Sequence, residues 1–215
     1  MAGKLDPSVI KAIKRAWGLT DKNIVIESSE KLSNLDKGQL TGKNRTITFI
    51  PSKGLQRIFA GNIGGTCIDS IEEDFAKGKF ENITSYSLVL DEGKTTERFA
   101  GAFLVIETET ENKEPTLVIR SNNPSENLFS MVDGDSLIKN ILDQVKSIAN
   151  KRGIKHVTVP VSDCGRSSSN REVISQFYKT NFSNNPKLGL VKNKETEFNG
   201  YPIWNKNGKD AVVEI

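Results

Sequence analysis

The chain has 215 residues, 36% hydrophobic and 27% charged, a balance that suits a globular chain built around one generous domain. A mean hydropathy of -0.42 and the lack of any run of about eighteen apolar residues exclude a membrane-spanning helix. The net charge of +3 is spread over interleaved basic and acidic residues, and 7% aromatics supply no stacking series, which argues against a nucleic-acid surface.

Cys67 and Cys164 lie in different segments and read as free thiols in a reducing compartment. With His156 as the single histidine, a zinc site is not expected. The opening MAGKLDPSVIKAIK lacks the apolar stretch of a secretory leader, so the expected location is cytoplasmic.

In chain order, Asp6 and Pro7 open a first helix whose apolar face is Val9, Ile10, Ile13 and Trp17, closed by Gly18. Asn23 to Ile26 reads as a short strand, and Ser28 to Asn44 as a polar loop. Residues 1–44 are therefore expected to be a helix-and-loop extension, with the main domain over 45–215.

Arg45 to Ile50 is β-branched and stops at Pro51, as a strand does. Two short helical patterns follow, on Leu55, Ile58 and Phe59 and on Ile68, Ile71 and Phe75. Ser85 to Leu90, Arg98 to Glu107 and Pro115 to Arg120 then predict a three-stranded antiparallel meander. Ile138, Ile141, Leu142, Val145, Ile148 and Ala149 recur at helical spacing, with Asp133 or Asp135 as cap and Lys151-Arg152-Gly153 as the end. A strand over Ile154 to Val161, a Ser- and Gly-rich loop, a helix from Asn170 to about Thr180 and short strands within Leu188 to Ile215 complete the order. The expected fold is a mixed α/β (α+β) sheet, mostly antiparallel, with helices on both faces.

That order, with DSLIKNILDQVKSIANKRGIKHVTV and NREVISQFYKTNF, resembles the GNAT family of N-acetyltransferases from about Phe99 to Phe182. The resemblance implies a sheet that splays beside the central helix, whose open N-terminus takes the pyrophosphate of acetyl-CoA or another acyl-CoA. It also implies acyl transfer to a small-molecule or peptide amine. Tyr178 would be the general acid, and Asn170 the polar residue opening the second helix. Ile119, Arg120, Gly134, Ser136 and Asn170 would be cofactor contacts, and Glu107, near a strand end, a candidate general base. The sequence departs from the family where a Gly-rich, basic loop is usual: only Gly134 is present, between Asp133 and Asp135.

Plainer roles stand beside these. Tyr178 can be a packed aromatic next to Phe177 and Phe182, and Gly134 and Ser136 a simple helix start. A degenerate domain serving as a recognition module for a protein partner is a second reading. A third is a thiol enzyme built on Cys67, His156 and Asp163. The loop Ser162 to Ser169, with Arg166, can form an anion nest or merely cap a helix. Tyr201, Pro202, Ile203 and Trp204 can wall a pocket or anchor the closing strand.

Overall fold

The computed structural model describes residues 30–33, 46–52, 82–91, 98–160, 169, 171–190 and 211–215. The described strands are β1 (Glu30–Ser33), β2 (Thr46–Ser52), β3 (Ile83–Asp91), β4 (Arg98–Glu109), β5 (Pro115–Pro124), β6 (His156–Pro160), β7 (Lys187–Gly189) and β8 (Ala211–Glu214). They form one sheet in the order β1-β2-β3-β4-β5-β6-β8-β7. Each neighbouring pair is antiparallel except β5 with β6. A parallel pair requires a crossover connection. Here α1 (Glu126–Phe129) and α2 (Gly134–Lys151) lie within it, and α3 (Glu172–Phe182) follows β6. The fold is thus a mixed α/β sheet, mostly antiparallel.

The expected meander is β3-β4-β5. β5 runs four residues past the predicted end at Arg120, because Ala102 pairs with Asn123 and Gly101 with Pro124. The ladder survives there through a bulge. Between the pairs Ala102–Asn123 and Leu104–Arg120, Phe103 alone opposes both Ser121 and Asn122. Ser121 takes φ 49, a left-handed conformation that costs a non-glycine residue about 1 kcal/mol or more. The extra residue resets the alternation of the strand. Leu117 and Ile119 face the helices, and after the bulge Asn122 does so.

Helix α2 forms as its periodicity predicts. Asp133 is the N-cap and accepts from Ser136 N at 2.8 Å, while Arg152 caps the far end. Gly153 then takes φ 67, which its missing Cβ allows at no steric cost. Ile154 N donates back to Ala149 O, so β6 begins at His156 and not at the predicted Ile154. The buried stripe Leu137, Ile138, Ile141, Leu142, Val145 and Ala149 lies against the sheet, each larger side chain contributing roughly 1.5–3 kcal/mol.

All three described helices join one core with Phe49, Tyr86, Phe103, Val105, Leu117, Ile119, Val159 and Val213 on a single face. The opposite face is equally buried, at Ile83, Leu104, Ile106, Val118 and Val212. Within the segment expected to be a polar loop, Glu30–Ser33 is instead a strand, because it finds a ladder partner in β2. The helical patterns predicted before Ser85 and the strand expected over Asn23 to Ile26 lie outside the described residues.

One feature of the sheet positions the candidate site. β5 and β6 pair only from Thr116–His156 to Val118–Thr158. Beyond that β5 continues along β4 to Pro124, while β6 continues along β8 to Pro160. The ladder between the two parallel strands thus ends at Val118–Thr158, and β6 is described only as far as Pro160.

Candidate functional site

Beyond its last pairing with β6, β5 carries a run of polar residues, Arg120, Asn122 and Asn123, that are nevertheless buried. Buried polar groups require partners, and for Asn122 and Asn123 α3 and the residues before it supply some of them. Asn122 Nδ2 donates to Tyr178 Oη at 3.0 Å. Ser169 Oγ donates to the main-chain oxygen of Asn122 and, at 3.1 Å, to Asn123 Oδ1. Ser169 Oγ also accepts from Arg171 N at 2.9 Å, and Arg171 Nε donates to Pro124 O at 2.7 Å. The residues leading into α3, and Tyr178 within it, are therefore tied to the C-terminal end of β5.

Tyr178 is 2% exposed, with the rings of Phe177 and Phe182 at 6.3 and 6.0 Å. Burial pushes its phenol well above the ordinary tyrosine range, and the Asn122 hydrogen bond pulls in the opposite direction. The phenol is thus held protonated at neutral pH.

The other sequence candidates divide between two ends of the sheet. Ile119 is a core side chain facing the helices, and Arg120 is buried on the opposite face, across from Leu104. Ser136 gives its amide to Asp133, and Gly134 is packed by its neighbours. A Cβ there would meet Val173 Cγ1 at 3.1 Å and Phe129 Cδ1 at 3.4 Å. Asn170, Cys67, Asp163, Arg166 and Tyr201 to Trp204 lie outside the described residues.

Glu107 stands apart from this group. Arg152, at the far end of α2, donates to it through Nη1 at 2.7 Å and Nη2 at 2.6 Å. An 18-residue helix rises about 27 Å, so Glu107 is separated from Gly134 and Ser136 by most of the sheet's length. Its carboxylate is held by Arg152 at the opposite end of the sheet from Tyr178.

His156 belongs to that same end. Its Nδ1 lies 2.9 Å from Glu214 Oε1 and its Nε2 3.1 Å from Glu114 Oε2, and Lys155 Nζ reaches Glu114 Oε1 at 2.7 Å. Both ring nitrogens therefore lie against carboxylates. The hydrogen bond from Lys155, then that from His156, holds the Glu114 carboxyl below its ordinary value of 4.5. The same contact raises Lys155 above 10.5.

A lowered carboxyl contributes stability that is present above pH 4.5 and lost as pH falls through the folded value. The raised lysine contributes below pH 10.5 and loses its share as pH rises through its folded value. Glu114→Gln is therefore expected to flatten both limbs of a Tm-against-pH profile relative to the native chain. Scanning calorimetry from pH 3 to 11 measures this, and unchanged limbs would remove Glu114 from the acid response.

The sequence order hid Asn122 and Asn123. Ser-Asn-Asn-Pro reads as loop chemistry, and only a buried phenol 56 residues away gives Asn122 a strand role. No family model matches the chain, and comparisons with curated proteins and with solved structures return no match.

Proposed function

We propose that this chain is a GNAT-like domain that binds an acyl-CoA beside the C-terminal end of β5 and transfers the acyl group to an amine of a small molecule or peptide. The observation that carries this reading is a buried Tyr178 hydrogen-bonded to β5 beyond its last pairing with β6. The thioester supplies an activated acyl carbon and a sulfur leaving group. The amine nitrogen bonds to the acyl carbon as the carbon–sulfur bond breaks. Tyr178 Oη gives the departing sulfur its proton, and the proton that the nitrogen sheds passes through water back to the phenolate. Asn122 holds the phenol in place. Glu107 takes no part, because Arg152 engages both of its oxygens.

The diphosphate end is a poorer fit. Asp133 already accepts the amide of Ser136, Asp135 adds a second carboxylate, and Phe129 and Val173 crowd Gly134. A carboxylate beside a diphosphate opposes binding by about 1 kcal/mol or more where water is partly excluded. This favours a second reading, a recognition module on the same architecture that has lost its cofactor.

Titration calorimetry with acetyl-CoA separates the two. Heat of binding saturating below millimolar ligand supports the acyltransferase; none at millimolar ligand leaves the recognition module. With binding in hand, Tyr178→Phe is expected to lower thiol release in the presence of a lysine-containing peptide by roughly 100-fold or more, with little change in affinity. An unchanged rate would remove Tyr178 from the chemistry.

A further inference from the structure

We propose that Asn122 is a positioning residue for Tyr178, placed there by the bulge at Ser121, and that it directs the phenol's own proton away from β5. This rests on the acyltransferase reading for its use, though not for its geometry. A carboxamide nitrogen has donors and no acceptor, so a bond from Asn122 Nδ2 to Tyr178 Oη makes the phenol oxygen the acceptor. The phenol proton then points elsewhere, available to a leaving group. Had the phenol donated to the carboxamide oxygen, its proton would be occupied and its use as an acid blocked.

Three features hold Asn122 in that attitude. It is fully buried, its main-chain oxygen accepts from Ser169, and the two residues opposing Phe103 turn its side chain toward α3. Without the extra residue the alternation would send residue 122 to the opposite face. Among the described residues the buried carboxamide Oδ1 has no hydrogen-bond partner, a cost a chain rarely retains without a use. The left-handed Ser121 is a second local cost at the same place. Burial raises the Tyr178 phenol and the Asn122 hydrogen bond opposes that rise.

The test has two arms. In the native protein labelled with ¹⁵N at asparagine side chains, the Asn122 Nδ2 proton facing the phenol is expected downfield, and Tyr178→Phe moves it upfield. If that proton does not move, or if a slowly exchanging Tyr178 hydroxyl proton shows the phenol donating to Asn122, the proposal is overturned, whatever the outcome with acetyl-CoA. In the kinetic arm, Asn122→Ala is expected to lower kcat for acetyl-CoA consumption by roughly 10-fold or more, with KM unchanged. In the Tyr178→Phe background the same change should have no further effect, because both act through one phenol. An equal loss in both backgrounds would show a merely structural residue. Absence of any acetyl-CoA binding defeats the acyltransferase reading and not the hydrogen-bond direction, which the spectroscopic arm decides.

Discussion

Gly101→Ala is expected to destabilise the protein by roughly 2–6 kcal/mol, the sum of about 1–3 for a strained backbone and about 1–3 for overpacking. Gly101 takes φ 130, which an L side chain rarely adopts. A Cβ there would come within 2.5 Å of Pro124 Cα, 2.6 Å of Asn123 O and 2.9 Å of Ser125 N. Those are backbone atoms, so no side chain can swing aside. Gly101 pairs with Pro124, and its neighbour Ala100 accepts from Ser125 N at 2.8 Å. Relief therefore means prising the end of β5 from β4, which also displaces Asn122. Against a domain stability of about 5–15 kcal/mol the loss is a large share. Urea denaturation measures it. A loss under about 1 kcal/mol would mean that β5 yields at little cost, and the Asn122–Tyr178 contact would then not be rigidly held.

Phe103→Ala is expected to cost about 3–5 kcal/mol, as truncation of a buried phenylalanine does. Its ring stacks on Tyr86 at 4.9 Å with 6° between planes and meets the edge of Phe49 at 5.9 Å and 80°. It is also the residue that faces the bulge. Truncation thus leaves a cavity between β3, β4 and the turn of β5 that carries Asn122. Phe103→Leu, which keeps most of the volume, should lose less, about 1.5 kcal/mol. Equal losses from the two variants in chemical denaturation would rule out the cavity as the cause. Hydrogen exchange should locate the extra opening of Phe103→Ala at β4 and β5.

The acidic loop before α2 has two consequences that pull apart. As a helix start it is well made, since Asp133 satisfies one of the amides that a helix leaves open. As a diphosphate site it is poor for the same reason. The buried phenol and its hydrogen bond to β5 are therefore the parts on which an acyl-transfer reading stands, and the calorimetric experiment addresses the remainder.

Much of the scaffold was legible along the chain. The stripe from Leu137 to Ala149, the Asp133 cap and the Arg152-Gly153 end are signals carried by residues within one helix. The meander was legible because alternation and turn residues are also local. The end of β5 was misread because its strand carries Asn122 and Asn123, which favour loops until tertiary partners bury them. Glu107 looked like a free carboxylate at a strand end until Arg152, 45 residues on, was found bound to both oxygens.

By itself, then, the sequence determined the meander, the central helix, the helix after β6 and the mixed α/β class, since caps, periods and turns act over a few residues; β1 and α1 were not legible in it. The tertiary structure decided which polar groups meet: Asn122 with Tyr178 at a separation of 56 residues, and His156 with Glu214 at 58. A hydrogen bond between distant residues leaves no local signature, because either partner alone would serve equally well in water. One extra residue in β5 turns the carboxamide toward α3 and so brings it and the phenol into the same dry space.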